Sequence, residues 1–403
     1  MKFEVEKALT RPEAVSALTS RWKMPVETET IRLGEAYGRV TAREYRARWN
    51  APAHRVSAFD GVAVRSADFA GGVPDASAWK PGVDFVRADT GDDFPDAFDA
   101  VIAIENVATL PNGGLSFAEV KGVKPGGGVR AAGSQLAEGE LLCAEGTVLR
   151  PEDVALLAAG GFDAVEVKRK LRIGYLPTGS ELVAVGTRPE RGETIQSNGL
   201  MIRGFVQQWG ACLVECPIVA DDEELLGAAI DELVASCDIV LVNGGSSRGS
   251  EDFCAQLLQE RASYFSHGIK AVPGRPVGLA VINGKPALNV PGPMLAAWLA
   301  CDWLLQALIC FYQGQKMPRR MTRSALLDDS LAARPQFERL VRLVADERDD
   351  GLHVSAPSRA SSLAQNVRTV NAYCALAPGC SLDAGSELMV EMLGTSAQGR
   401  ARR

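Results

Sequence analysis

Between residues 171 and 312, apolar runs of strand length alternate with segments of helix length. No other feature restricts the fold as much. Strands are expected at 171–176, 212–219, 238–242, 277–282 and 287–290, and helices at 199–209, 223–236, 252–261 and 294–311. Such alternation builds a mostly parallel sheet with helices on both faces, and ligands of such sheets bind beyond the carboxyl ends of the strands. The loops that follow strands are therefore where chemistry should be sought. The last helix is apolar enough to raise the question of a membrane. Asp302 and Gln306 interrupt it and the turn Asn289-Val290-Pro291-Gly292-Pro293 precedes it, which marks a buried helix closing the α/β unit.

The flanks read differently. Residues 5–22 carry Val5, Ala8, Leu9, Ala14 and Leu18 at helical spacing, and 27–41 read as a second helix or a strand followed by a helix. From 42 to 140, short apolar runs alternate with Gly, Pro and Asp clusters, the pattern of a β-rich domain. Pro151, followed by Glu152 and Asp153, opens a helix over 154–160. Residues 318–396 form another block of short strands, a small barrel or sandwich, and the tail beyond it is expected to fray.

At 403 residues the chain suits two to four domains. Its net charge of -7 comes with no long basic run, so nucleic-acid binding has no support. Nine cysteines lack any Cys-x-x-Cys pair, which argues against a disulfide framework or zinc site and favours a reducing cytoplasm. Only three histidines (His54, His267, His353) are present, too few for a His-based metal centre. Residues 1–7 lack the apolar core of a signal peptide.

Several loops carry candidate chemistry. In Ser57-Ala58-Phe59-Asp60-Gly61-Val62-Ala63-Val64, Gly61 would permit a tight turn that presents the Asp60 carboxylate. The segment Gly244-Gly245-Ser246-Ser247-Arg248-Gly249-Ser250-Glu251-Asp252 follows a strand and precedes a helix. Its glycines would let backbone N–H groups approach a phosphate, with hydroxyls and a helix N-terminus adding donors. Glu181, in Thr178-Gly179-Ser180-Glu181-Leu182, would lie at the same sheet edge as Asp252, and two carboxylates beside a phosphate loop suggest Mg²⁺. Arg275 sits between prolines in Pro273-Gly274-Arg275-Pro276, which would aim its guanidinium. Ser197-Asn198 opens a helix; a capping role suffices for Asn198, which could also face the site.

In this order the loops resemble the boxes of the molybdopterin molybdenumtransferase family, MoeA-like proteins that include the E domain of gephyrin. The family's Asp-Gly-Tyr/Phe-Ala box is matched by Asp60-Gly61-Val62-Ala63, and its Thr-Gly-Asp-Glu-Leu box by Thr178–Leu182. Ser197-Asn198, Asp221-Asp222, Gly244–Asp252 and Pro273–Pro276 match further boxes, and Phe337-Glu338-Arg339 and Ala360-Ser361 match C-terminal ones. The resemblance covers nearly the whole chain.

It implies four parts: helical 1–41 with 140–169, β-rich 42–139, a three-layer α/β/α molybdopterin-binding domain over 170–317, and a β-barrel over 318–396 with a tail at 397–403. It implies a cytoplasmic homodimer whose site lies between subunits, with Asp60 facing the partner's α/β domain. The reaction implied is insertion of molybdate into adenylylated molybdopterin with Mg²⁺-dependent release of AMP. Asp60, Glu181 and Asp252 would be catalytic, and Glu181 and Asp252 would organise Mg²⁺ or molybdate. Thr178, Gly179, Ser197, Asn198, Asp222, Gly244, Gly245, Ser246, Ser247, Arg275, Pro291, Gly292, Arg339 and Ser361 would bind substrate. A molybdopterin adenylyltransferase or a recipient molybdoenzyme is the implied protein partner.

The departures are specific. Gly133-Ser134-Gln135 stands where members carry Gly-Glu-Asp, Val272 and Arg275 stand for lysines, Ser180 stands for Asp, and Pro291-Gly292-Pro293 loses the amide of Pro-Gly-Asn-Pro. They fit a diverged member with an altered ligand, an altered anion or lost catalysis. A non-catalytic molybdopterin-binding scaffold stays open beside the enzyme, as does a Mg²⁺-dependent nucleotide hydrolase or adenylyltransferase built on the same α/β domain.

Overall fold

The computed structural model describes residues 8–118, 120–245, 253–358 and 360–393. The tail expected at 397–403 lies outside them. The chain divides into two compact units, Met1–Val26 with Lys170–Arg403, and Glu27–Arg169. The expected grouping joined 1–41 to 140–169; here Val26 ends the stretch that joins 170–403.

The first unit begins with helix α1 (Arg11–Thr19), shorter than the helix expected over 5–22. Its start is set by Thr10, which forms a capping box with Glu13, and by Pro12 in the first turn. Ala14, Leu18 and Trp22 are buried in the core of the α/β sheet that follows.

That sheet has six strands: β1 (Arg172–Pro177), β2 (Cys212–Glu215), β3 (Ile239–Asn243), β4 (Tyr264–His267), β5 (Gly278–Ile282) and β6 (Lys285–Val290). Their order is β2-β1-β3-β6-β5-β4; the first four run parallel, and β5 alone is reversed, pairing antiparallel with both β6 and β4. Helices α2 (Asn198–Gln208), α3 (Glu223–Ser236) and α4 (Phe253–Arg261) connect them, close to the spacing expected. Strand β4 was not legible: all four residues are half-buried and form no apolar run on this edge strand. The sheet's two faces feed separate cores, one with Ile173, Leu241 and Leu288, the other with Leu176, Val240 and Val242. Alternate residues of one strand serve opposite faces.

Helix α5 starts at Met294–Ala300, passes a wider π-type turn at Cys301–Leu305 and ends at Gln306–Gln313. By length and composition it could cross a membrane. Leu299, Leu304, Leu305 and Leu308 are instead packed in the sheet core, and Asp302 is paired with Arg320.

Strands β7 (Thr322–Leu327), β8 (Glu338–Arg348), β9 (Gly351–Ser355), β10 (Ala372–Leu376) and β11 (Glu387–Met392) close into a five-strand barrel, with α6 (Leu363–Thr369) before β10. Closure runs β7-β9-β8-β10-β11 and back to β7, which removes the open edges a free sheet would expose. The short strand Ala271–Val272 pairs with the start of β8, placing Val272 opposite Arg339. That pairing ties the loop after β4 to the barrel wall.

In the second unit, Thr28–Arg32 pairs with Ala164–Lys168 over a core of Tyr45, Leu149, Leu157 and Val167. Within 27–41, Thr28–Arg32 is thus a strand, followed by one short helical turn at Leu33–Glu35. Gly61–Val64 is the middle strand of a three-stranded sheet with Val86–Ala88 and Ala100–Ala103. Gly61 therefore opens a strand and does not make the expected turn. It is glycine because a Cβ there would lie 2.2 Å from the Ile102 carbonyl oxygen.

Candidate functional site

The site sits beyond the carboxyl ends of β1 and β3, where the strand order reverses and α/β sheets open a crevice. Pro177 lies opposite Asn243, and Asn243 opposite Val290. Past these positions the chains approach closely. Gly244 has φ 128°, and a Cβ on it would meet the Thr178 carbonyl oxygen at 2.3 Å. Only glycine accepts both conditions.

Beneath this floor lies a buried hydrogen-bond cluster centred on Asn243. Its Oδ1 accepts from Tyr175 Oη and from Asn198 Nδ2, both at 2.8 Å, and its Nδ2 donates to the Pro291 carbonyl at 2.8 Å. Asn198 Nδ2 also donates to the Gly292 carbonyl at 2.7 Å, and Gln196 donates to Tyr175 Oη at 3.2 Å. Burial, aided by the Glu215 charge, pushes the Tyr175 hydroxyl above the ordinary phenol range, so it stays a neutral donor. Asn289 holds the Gly244 carbonyl at 2.7 Å from the next strand. The residue that caps α2 is Ser197, and Asn198 is its first helical residue. Asn198 therefore serves as a buried tie and not as the cap expected for it.

Above the floor opens a cavity of about 1400 Å³. From the sheet side, Thr178, Gly179, Glu181, Ser197, Asn198, Gly244 and Gly245 line it, with Pro291 and Gly292. From the loop after β4 and from the barrel come Arg275 and Arg339. Eleven of the expected site residues thus share one cavity. Arg275 lies over the Phe337 ring at 5.6 Å, and Arg339 donates to the Ala332 carbonyl at 2.9 Å. The Glu181 carboxylate makes no hydrogen bond among the described residues and folds back beside Gly179.

Two expected residues lie elsewhere. Asp222 is off the cavity wall; it caps α3, accepting from the Leu225 N–H at 2.9 Å. Its neighbour Asp221 lines the cavity, accepting from Thr178 Oγ1 at 3.2 Å and the Ser180 N–H at 3.0 Å. Ser361 is also off the wall, where Leu363 and Asn366 of α6 stand. Ser246, Ser247 and Asp252 lie outside the described residues.

Asp60 belongs to the second unit. It is exposed, and its Oδ1 accepts from the Thr90 N–H at 2.7 Å and Thr90 Oγ1 at 2.8 Å. These bonds hold its carboxyl below the ordinary range.

Among the described residues, no three His, Cys, Asp or Glu side chains cluster closely enough to hold a metal by themselves. The residues that sequence reasoning passed over are Tyr175, Gln196, Asn243 and Arg342. For Asn243 the available signal was a lone amide ending the apolar run Ile239-Val240-Leu241-Val242.

Comparison with known proteins decides the lineage. Residues 4–161 match the MoeA N-terminal region (domain I and II), and 174–309 match a probable molybdopterin binding domain. A molybdopterin molybdenumtransferase of Haemophilus influenzae is 30% identical over 321 residues, spanning 76% of this chain and 78% of that one. The chain belongs to the MoeA family. A Mycobacterium tuberculosis protein named molybdopterin molybdenumtransferase 2 is 27% identical over 77% of this chain and 82% of its own. The MoeA fold is also seen in a molybdopterin biosynthesis MoeA protein from Pyrococcus horikoshii. It superposes with a TM-score of 0.77 at 24% identity, covering 96% of this chain and 99% of that one.

Proposed function

We propose that this MoeA-family protein is a molybdenumtransferase of molybdenum cofactor biosynthesis, inserting molybdate into adenylylated molybdopterin with release of AMP. The observation that carries the reading is the cavity itself. It joins a sheet-end floor, suited to a nucleotide, to a wall bearing Arg275 and Arg339. Its volume of about 1400 Å³ admits a pterin nucleotide, which exceeds a drug-sized ligand.

In this reading each residue has a physical task. Thr178, held by Asp221, and the tightly approaching Gly244 shape the floor against the ligand's phosphates. Arg275 and Arg339, each braced by a neighbour, offset anionic charge with little loss of side-chain freedom. Mg²⁺ binds through one or two carboxylates plus substrate phosphates. Glu181, in the cavity and without a hydrogen bond among the described residues, would hold it there, and the ion would neutralise phosphate charge. The protein acts as a homodimer in which Asp60 serves the partner's site.

Incubation with adenylylated molybdopterin, molybdate and Mg²⁺ tests this. AMP release that depends on both molybdate and Mg²⁺ is expected; its absence refutes the catalytic reading. One observation favours a second reading, a non-catalytic molybdopterin-binding scaffold: Val272, an apolar side chain 38% exposed, occupies the wall opposite Arg339. That reading requires molybdopterin binding by calorimetry without AMP release.

A further inference from the structure

We propose that Arg342 is an oxyanion-binding residue of this cavity, gripping a tetrahedral oxyanion from the barrel side. The inference rests on the molybdenumtransferase reading for the identity of the ligand. Its evidence lies in strand β8. Along a strand, alternate residues face opposite ways. Val341 and Leu343 point into the barrel core, and Leu340 packs into the core of the α/β sheet. Glu338 and Arg342 flank Leu340 on that outward face, and both line the cavity.

The two charged residues differ in one respect. Glu338 is already engaged by a two-pronged contact from Arg11, with Nε and Nη2 each at 2.7 Å. Arg342 is half-buried and makes no hydrogen bond, ion pair or ring contact among the described residues. A shielded guanidinium carries five donors and is costly to leave unmet. Other shielded arginines of this unit are met: Arg11 by Glu338, and Arg320 by Asp302 and Glu391. Burial lowers the pKa of Arg342, and no carboxylate among the described residues offsets it. The cavity it lines is the side from which a partner can reach it.

The surrounding charge favours an anion there. Arg275, Arg334 and Arg339 stand on the same walls. Three carboxylates share those walls: Glu338 is paired with Arg11, while Asp221, which accepts from Thr178 and Ser180, and Glu181 have no cationic partner among the described residues, so Arg342 and the three other arginines outnumber the unpaired carboxylates. The guanidinium fork matches paired oxygens of a tetrahedral oxyanion. Molybdate and the phosphoryl groups of a pterin nucleotide share that chemistry.

The full-length protein is titrated by calorimetry with sodium molybdate and, separately, with inorganic phosphate. Arg342→Gln is expected to weaken at least one of them about tenfold, the scale of a lost charged hydrogen bond. Loss for molybdate alone assigns the metal oxyanion, and loss for phosphate alone assigns a phosphoryl group. Unchanged affinity for both in Arg342→Gln, or no binding of either by the unaltered protein, overturns the proposal. Should Arg342→Gln not fold, Arg342→Lys decides. It keeps the charge and loses the fork, so a several-fold weakening supports the assignment and unchanged affinity overturns it. AMP release separates the two readings: an active enzyme indifferent to Arg342 loses only this proposal. An inactive protein whose oxyanion affinity depends on Arg342 loses only the transferase.

Discussion

Asn198, at the start of α2, and Asn243, at the end of β3, meet through a 2.8 Å hydrogen bond under the cavity floor. Through Asn243 the bond is joined to Tyr175 on β1 and to the carbonyl of Pro291 after β6. One amide therefore ties two parallel strands, a helix start and the turn before α5. A buried network with its members satisfied rigidifies what it joins.

Removing the centre of that network should cost more than removing an edge. Asn243→Ala leaves Tyr175 and the Pro291 carbonyl without this partner, and about 2–4 kcal/mol of unfolding free energy should be lost. Tyr175→Phe removes the bond to Asn243 and the longer one from Gln196, and should cost less, about 1–2 kcal/mol. Urea denaturation of the two variants measures both, and equal losses would contradict a network centred on Asn243.

Much of this arrangement was legible because it follows from spacing. The strand-helix alternation located the sheet, and glycines at strand ends located the loops that line the cavity. What escaped is what single-residue reasoning ranks poorly. Asn243 and Tyr175 sit within apolar runs, so they read as core; their polar ends matter only once strand register sets them side by side. Asp222 was preferred to Asp221 because adjacent acids look alike in sequence. Helix α3 begins so that the second of them meets its N–H groups. The register of β8, which turns Arg342 outward, had no sequence marker at all.

The adjacent acids should separate in experiment. Asp222→Ala removes an N-cap, for a loss of about 1 kcal/mol, and leaves ligand affinity unchanged. Asp221→Ala frees Thr178 and the Ser180 N–H at the cavity wall. It should weaken molybdopterin binding about tenfold, the scale of a charged hydrogen bond. Thermal melting and calorimetry on the pair report the two effects independently. Loss of affinity in Asp222→Ala, with Asp221→Ala unaffected, would restore the original assignment.

The barrel carries a pH-dependent contact. His353 lies 2.9 Å from Asp328 through Nδ1 and 3.0 Å from Asp350 through Nε2, and these hydrogen bonds raise its pKa above 6.5. A raised folded-state pKa stabilises when the ring is charged. The contribution is thus fully present below pH 6.5 and is lost as pH rises through the higher folded value. The melting-temperature difference between the natural protein and His353→Gln should shrink over that rise. A constant difference would mean that the ring's charge plays no part.

The remaining prediction concerns where Asp60 acts. Its bonds to Thr90 keep it ionised at neutral pH and fix one oxygen, leaving the other for a ligand. Under the proposed homodimer, Asp60 of one chain serves the cavity that Glu181 lines in the other. Asp60→Asn and Glu181→Gln should each abolish molybdate-dependent AMP release alone. Refolded together in equal amounts, half the dimers are mixed, and each mixed dimer rebuilds one complete site of its two. About a quarter of the natural activity should return. If both residues instead served a site within one chain, every site in a mixed dimer would carry one lesion. No activity would return, so AMP release from the mixture decides between the two arrangements.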